Sequence, residues 1–239
     1  MNQNIDALIL CGGSGTRFMG VSENIPKALA DIHNRPFVNI IIEFLILNGI
    51  KKIILCTGHM SDTIKERFEN SLLKTYMPNL IFSKEQKPMG TGGAVKNAEP
   101  HILSENFFVI NGDSFCEFDL SAMMNFHISK NALISMVLTT PDDRTDTGNV
   151  TLDEETGAIT GFEEKNAYNQ KKYTNAGIYI FNKEILKKIP KDENSSLEYS
   201  LFPQHIRYGA YGFKSEGELI DIGTPDRYKK ALAFFNPYE

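Results

Sequence analysis

The residues best placed to do chemistry stand at the front of the chain. The segment CGGSGTRF, Cys11 to Phe18, directly follows an apolar run. Glycines at 12, 13 and 15 leave backbone N–H groups free to face an anion, with no side chain in its way. A dinucleotide fingerprint starting at Gly13 needs glycine where Phe18 stands, and a P-loop starting at Gly15 needs lysine where Val21 stands. What remains is a phosphate-cradling turn that carries one cation, Arg17, and is followed by a second, Lys27, after Pro26. The plainer alternative is a glycine-rich turn with a surface arginine. Two carboxylates complete the set. Asp113 closes the tight run Asn111-Gly112-Asp113 behind an apolar strand, the place where open parallel sheets bind ligands. Asp221 lies between Ile220 and Ile222, where a carboxylate is costly to bury unless something pairs with it. A site residue, a helix cap or a structural ion pair would each satisfy it.

These residues sit on elements that the apolar pattern locates. Ile5–Leu10, Lys51–Thr57, Leu80–Lys84 and Phe107–Ile110 read as short buried strands. Helical segments separate them: Pro36 to Leu47, with proline at its first turn and Gly49 past its end, and Ser61 to about Asn70. Gly90-Thr91-Gly92-Gly93 opens another near Ala94. Alternation at this spacing predicts crossover units and a largely parallel sheet. From Ala132 the rhythm changes: Ala132–Thr140, Asn149–Leu152, Ala158–Phe162 and Tyr173–Phe181 are strand-like, with a hairpin turn at Glu155-Thr156-Gly157. This half reads as a mixed extension that supplies the second wall of a cleft. Thr224-Pro225-Asp226 caps a last helix running to about Phe235. No linker rich in Pro, Gly or Ser parts the halves, so residues 1–239 read as one domain of two halves, 1–130 and 131–239.

GGSGTR at Gly12–Arg17 with Ile25-Pro26-Lys27 resembles the signature of the sugar-1-phosphate nucleotidyltransferases. GTGGA at Gly90–Ala94, NGDSF at Asn111–Phe115, FEEK at Phe162–Lys165, NAGIYIF at Asn175–Phe181 and IDIGTPDRY at Ile220–Tyr228 follow in the family's order. The resemblance implies an α/β, Rossmann-like three-layer fold with a largely parallel mixed central sheet and a small β-rich sugar-binding extension. It also implies the reaction: a sugar-1-phosphate oxygen attacks the α-phosphorus of a nucleoside triphosphate and pyrophosphate leaves. Such a step needs positioning and charge neutralisation rather than a covalent protein nucleophile.

Carried over residue by residue, the family pattern makes Asp113 and Asp221 the ligands of Mg²⁺, a hard cation that takes few carboxylates and fills its shell with phosphate and water. Arg17 receives the departing pyrophosphate and Lys27 bridges the α-phosphate and its attacker. Leu10, Gly12, Gly13, Gly15, Thr16, Gly90, Thr91 and Gly112 line the nucleotide. Lys165 holds the sugar phosphate, Glu164 and Asn175 meet sugar hydroxyls, and the backbone of Gly148 lines that pocket. Glu85 takes the base-reading position. A carboxylate matches the paired N1–H and N2–H₂ donors of guanine, whereas the neighbouring Gln86 would match uracil or thymine better. The Arg17-to-Lys27 spacing, GTGGA, the SLE-plus-FP run at Ser196–Pro203 and IDIGTPDRY place the resemblance nearest the branch of guanylyltransferases acting on D-glycero-α-D-manno-heptose 1-phosphate. Thr147, before Gly148, departs from the aromatic residue common there.

Composition bounds the alternatives. Apolar residues are 41% of 239, charged residues 23%, and the net charge is -5, which argues against nucleic-acid or membrane-surface partners. The substrates expected are small molecules, with a homodimer suggested by apolar residues near the C-terminus (Phe234, Phe235, Tyr238). Three separated cysteines without a CxxC indicate neither disulfides nor zinc. With no basic leader and no unbroken apolar span, the chain reads as soluble and cytoplasmic. The five histidines read as surface or satisfied core residues, Met123-Met124 as helix core filling, and Glu198 as a helix-face or capping carboxylate. Three other functions remain in view: a uridylyl- or thymidylyltransferase for hexose 1-phosphates, a glycosyltransferase, and a non-catalytic nucleotide-sugar binder. The glycosyltransferase's Asp-x-Asp motif is broken by Asp113-Ser114-Phe115.

Overall fold

A computed structural model describes residues 5–12, 26–58, 61–69, 80–141, 147–164 and 173–236. In chain order the elements are β1 (Asp6–Leu10), β2 (Asp31–Ile32), β3 (Arg35–Pro36), α1 (Phe37–Leu47), β4 (Lys52–Thr57), α2 (Ser61–Glu69), β5 (Leu80–Lys84), α3 (Gly90–Asn97), β6 (Asn106–Asn111), β7 (Ser114–Phe115) and α4 (Leu120–Ser129). They continue with β8 (Ile134–Thr139), β9 (Gly148–Leu152), β10 (Ile159–Glu164), β11 (Tyr173–Asn182), a π-helical turn at Leu197–Leu201, α5 (Phe202–His205), β12 (Ala210–Lys214), β13 (Ile220–Asp221) and α6 (Pro225–Phe234).

The central sheet runs β10-β9-β11-β6-β1-β4-β5, with β8 on the other edge of β11 and β12 beside β8. Strands β5, β4, β1 and β6 are parallel. Antiparallel β11 then ties that half to the extension by pairing with β6, β8 and β9. Alternation builds the two cores. Ala7 and Ile9 of β1, with Phe108 and Ile110 of β6, face α1, α2, α4 and α6. Leu8, Phe107 and Val109 face α3, the Leu197–Leu201 turn and α5. A sheet covered on both sides explains why its parallel strands read as unbroken apolar runs.

Local chemistry sets the ends of the helices. In α1, Pro36 with φ near -58° is the cap rather than part of the first turn, and Gly49 follows the helix with φ +87°. The Thr224 hydroxyl caps α6 by accepting from the Arg227 N–H, and Pro225 is its first residue. Phe235 at the foot of α6 packs edge-on against Phe37 and Phe115. Ser61 begins α2, and its buried hydroxyl accepts from the Thr57 hydroxyl. No helix among the described residues is long and apolar enough to cross a membrane.

Candidate functional site

A cleft of about 550 Å³ opens at the C-terminal ends of the parallel strands, as the crossover topology requires. Its floor is Leu10, Cys11 and Gly12 after β1 and Asn111 to Asp113 after β6, and one wall is Glu85 to Thr91 between β5 and α3. Gly112 N–H donates to the Leu10 carbonyl at 3.0 Å, tying the two floor strands together. The amino end of α3 opens onto this cleft. Its helix starts at Gly90 itself, four residues earlier than Ala94. Gly90 has φ +71°, and a Cβ there would lie 2.5 Å from the Ser195 carbonyl, so only glycine fits the turn. That carbonyl accepts from Gly92 N–H at 2.8 Å and Gly93 N–H at 3.1 Å.

Asp113 and Asp221 come together through the β7–β13 pair. Asp221 sits opposite Ser114 in the ladder, and Ile222 N–H donates to the Asp113 carbonyl at 3.1 Å. Lys27, on a 3₁₀ turn after Pro26, places Nζ 2.9 Å from Asp113 Oδ2. Asp221 Oδ1 accepts from Gly223 N–H at 2.8 Å and lies 3.3 Å from an Arg227 guanidinium nitrogen. Lys27 Nζ and Asp221 Oδ1 both lie within 3.7 Å of the point where a Cβ on Gly223 would stand. Two cations and two carboxylates therefore meet, Lys27 and Asp113 of them lining the cleft, and each acid has a basic partner. Arg227 went unnoticed in the sequence, although it lies six residues after Asp221 in the first turn of a capped helix.

These two carboxylates form a donor set of hard oxygens that suits Mg²⁺, which needs only one or two of them when phosphates supply the rest. Among the described residues no group of three or more His, Cys, Asp or Glu side chains gathers for a closed metal site.

Glu85 is 8% exposed, and burial raises its carboxyl above the usual range despite the hydrogen bond it accepts from Met89 N–H. Its Oε1 reaches to 2.9 Å from where a Cβ on Gly12 would stand. Neighbouring Gln86 is exposed and lines the same wall. Thr91 accepts from Leu197 N–H and donates to Glu198 Oε2 at 2.7 Å, and Glu198 also accepts from Ser196 Oγ. Glu198 thus bridges the Thr91 and Ser196 hydroxyls and ties the start of α3 to the Leu197–Leu201 turn, whose cap is Ser196 rather than Glu198.

In the antiparallel extension, Gly148 and Glu164 stand opposite each other in the β9–β10 ladder. Asn175 Nδ2 donates to the Tyr179 hydroxyl at 2.8 Å while its Oδ1 accepts from Gly177 N–H. Both bonds hold a register shift in β11 between Asn175 and Tyr179. Tyr179 is fully buried, and burial followed by the charge of Glu198 pushes its phenol well above the usual range. Glu164 and Asp113 add smaller pushes in the same direction, and the sequence reading did not single this phenol out. Gly13, Gly15, Thr16, Arg17 and Lys165 lie outside the described residues.

A family model described as nucleotidyl transferase matches residues 6–236. The chain belongs to that family. Among its nucleotidyl transferase relatives, the D-glycero-alpha-D-manno-heptose 1-phosphate guanylyltransferase of Aneurinibacillus thermoaerophilus is 36% identical over 95% of this chain and 96% of its own length. The protein of the same name from Campylobacter jejuni is 35% identical over 94% and 97%. The structure of HddC from Yersinia pseudotuberculosis complexed with GMP-PN superimposes with a TM-score of 0.83 at 31% identity, covering 97% of this chain and all of that one.

Proposed function

We propose that this chain is a D-glycero-α-D-manno-heptose 1-phosphate guanylyltransferase, which moves GMP from GTP onto the phosphate of the sugar and releases pyrophosphate. The observation that carries this reading is the meeting of Lys27, Asp113 and Asp221 beside a glycine-edged cleft at the strand ends. Two near full-length relatives bear that name, and the HddC complex with GMP-PN supports guanine as the base.

In the proposed mechanism a phosphate oxygen of the sugar 1-phosphate attacks the α-phosphorus, the bond to the β-phosphate oxygen breaks, and pyrophosphate carries away the electron pair. Both substrates are anions, so charge neutralisation dominates the barrier. Lys27 takes the α-phosphate and its attacker, leaving Asp113 for the metal rim. Arg227 holds Asp221 in place. Arg17 is assigned to the pyrophosphate, and Lys165 to the sugar phosphate. A Mg²⁺ held by Asp113 and Asp221 would neutralise triphosphate charge and fix the α-phosphate. Glu85 receives guanine N1–H and N2–H₂. Its Oε2 already accepts from Met89 N–H, so a paired contact uses that oxygen's second lone pair.

Pyrophosphate release over a grid of nucleoside triphosphates and sugar 1-phosphates tests the reading. GTP with the heptose 1-phosphate should be the fastest pair, and no release with any pair would end it. Asp113→Asn and Asp221→Asn should each lower kcat by about a hundredfold or more while the fold stays intact. Activity near wild type in either variant removes that aspartate from the site.

A further inference from the structure

Helix α6 borders the site twice. Its first turn carries Arg227 to Asp221. The next residue, Tyr228, reaches the β2–β3 hairpin that follows Lys27, and its hydroxyl donates to the Asp31 carbonyl of β2. The ladder offers that carbonyl nothing, because Asp31 stands opposite Pro36, which has no N–H. A second tie lies one turn further along α6, where His33 Nε2 donates to the Leu232 carbonyl at 2.7 Å. Tyr228, Leu232 and Phe235 recur at the spacing of one helix face and pack on the core shared with α1, so α6 is itself firmly seated. The hairpin in turn is continuous with Lys27. Leu29 N–H donates to the Pro26 carbonyl at 2.8 Å, Ala30 N–H to the Lys27 carbonyl at 2.9 Å, and Phe37 N–H to the Ala30 carbonyl at 2.8 Å. Ala28, Leu29 and Ala30 are buried. A shift of β2 is therefore passed on to the Lys27 ammonium, which lies 2.9 Å from Asp113 Oδ2.

From this geometry we infer that Tyr228 is a positioning residue, which acts through the Asp31 carbonyl to set Lys27 against Asp113 and Asp221. This rests on the guanylyltransferase reading above, in which Lys27 bridges the α-phosphate and its attacker. An ammonium in that place matters most where charge develops, so a small displacement weakens the transition state more than the bound triphosphate. Adjacent residues of one helix thus hold the two sides of the reaction centre: Arg227 the acid of β13, and Tyr228 the lysine that follows Pro26. Burial first, and then the Asp31 charge, keeps the Tyr228 phenol above its usual range, so its hydroxyl stays a donor well past neutral pH.

Tyr228→Phe keeps the ring on the core and removes only the donor. It should lower kcat by about five- to tenfold and leave KM for GTP within about twofold of wild type. In a Lys27→Ala background the same change should cost less than about twofold, because the residue it acts through is gone. An equal loss in both backgrounds, or no loss in the wild-type background, overturns the assignment. A second measurement needs no turnover: acetylation of individual lysines by acetic anhydride, read by mass spectrometry. Lys27 should react several times faster in Tyr228→Phe than in wild type. Lys52 is the control, since its side chain is 17% exposed against 19% for Lys27 and it pairs with Asp6 at the far end of β1. Its rate should not change. Acceleration of both lysines, or of neither, also overturns the assignment. Wild type that releases no pyrophosphate with any pair is a different failure, that of the guanylyl-transfer reading, and the acetylation rates then still decide whether Tyr228 holds Lys27.

Discussion

Burial holds the His127 ring at about 4, below its usual 6.5, because the site offers the neutral form all it needs. Nε2 lies 3.2 Å from Asn106 Oδ1, which can only accept, so Nε2 carries the proton and Nδ1 accepts from Ser135 Oγ at 2.8 Å. The unfolded chain takes up a proton near pH 6.5, whereas the folded chain resists until about 4. The stability tied to the neutral ring is therefore complete above pH 6.5, shrinks as the pH falls, and is gone below about 4, a span of about 3 kcal/mol. Urea unfolding between pH 7 and 5 should show a steeper loss in wild type than in His127→Asn. Parallel slopes would mean that the ring is charged in the folded protein. The Glu85 carboxyl makes a second prediction at this scale. Glu85→Gln should cut the preference for GTP over UTP by about ten- to a hundredfold. A preference left untouched would hand the base to Gln86 or to another part of the wall.

Among the elements, α3 shows how a local signal and a distant partner divide the work. The glycines at 90–93 announced a helix start, but the segment they dock on, Asn194 to Ser196, lies a hundred residues away and has no periodic pattern. Gly90→Ala would force a side chain into αL and against the Ser195 carbonyl, costing about 1–3 kcal/mol. A lower melting temperature should come with a higher KM for GTP. An unchanged KM would detach this turn from the nucleotide. The ends of α1 and α6 were legible because proline, glycine and a capping threonine act within a few residues of one another. The start of α3 was misplaced for want of the tertiary contacts that fix it. β12 escaped notice because its five residues, AYGFK, are held by parallel pairing with β8, more than seventy residues earlier. The Thr91–Glu198 bond, 107 residues apart in sequence, left only a capping signature at one of its ends.

For the whole molecule, the alternation of short apolar runs with helices gave the layered parallel half, and the loss of that alternation after Ala132 located the antiparallel extension. Asp113, Asp221 and Lys27 were legible as candidate site residues because each breaks a local expectation: an acid at a strand end, an acid inside an apolar run, a cation after proline. Arg227 and Tyr179 broke none, since a basic residue on a helix and an aromatic in a strand are ordinary. Their importance is set by folding alone.

The same layering encloses all three cysteines, each no more than 5% exposed. Burial, with the Asp113 charge beside it, pushes the Cys11 thiol up to about 12, and burial raises Cys56 and Cys116 as well. A thiol that is neither charged nor accessible cannot attack a disulfide dye, so colour can develop only as fast as the protein breathes. Labelling by Ellman's reagent in native buffer should thus run as an unfolding clock, slow at first and abrupt near the melting temperature. GTP should stall it at Cys11, which lines the cleft, and release at the mixing rate would mean that this thiol is open to water from the outset.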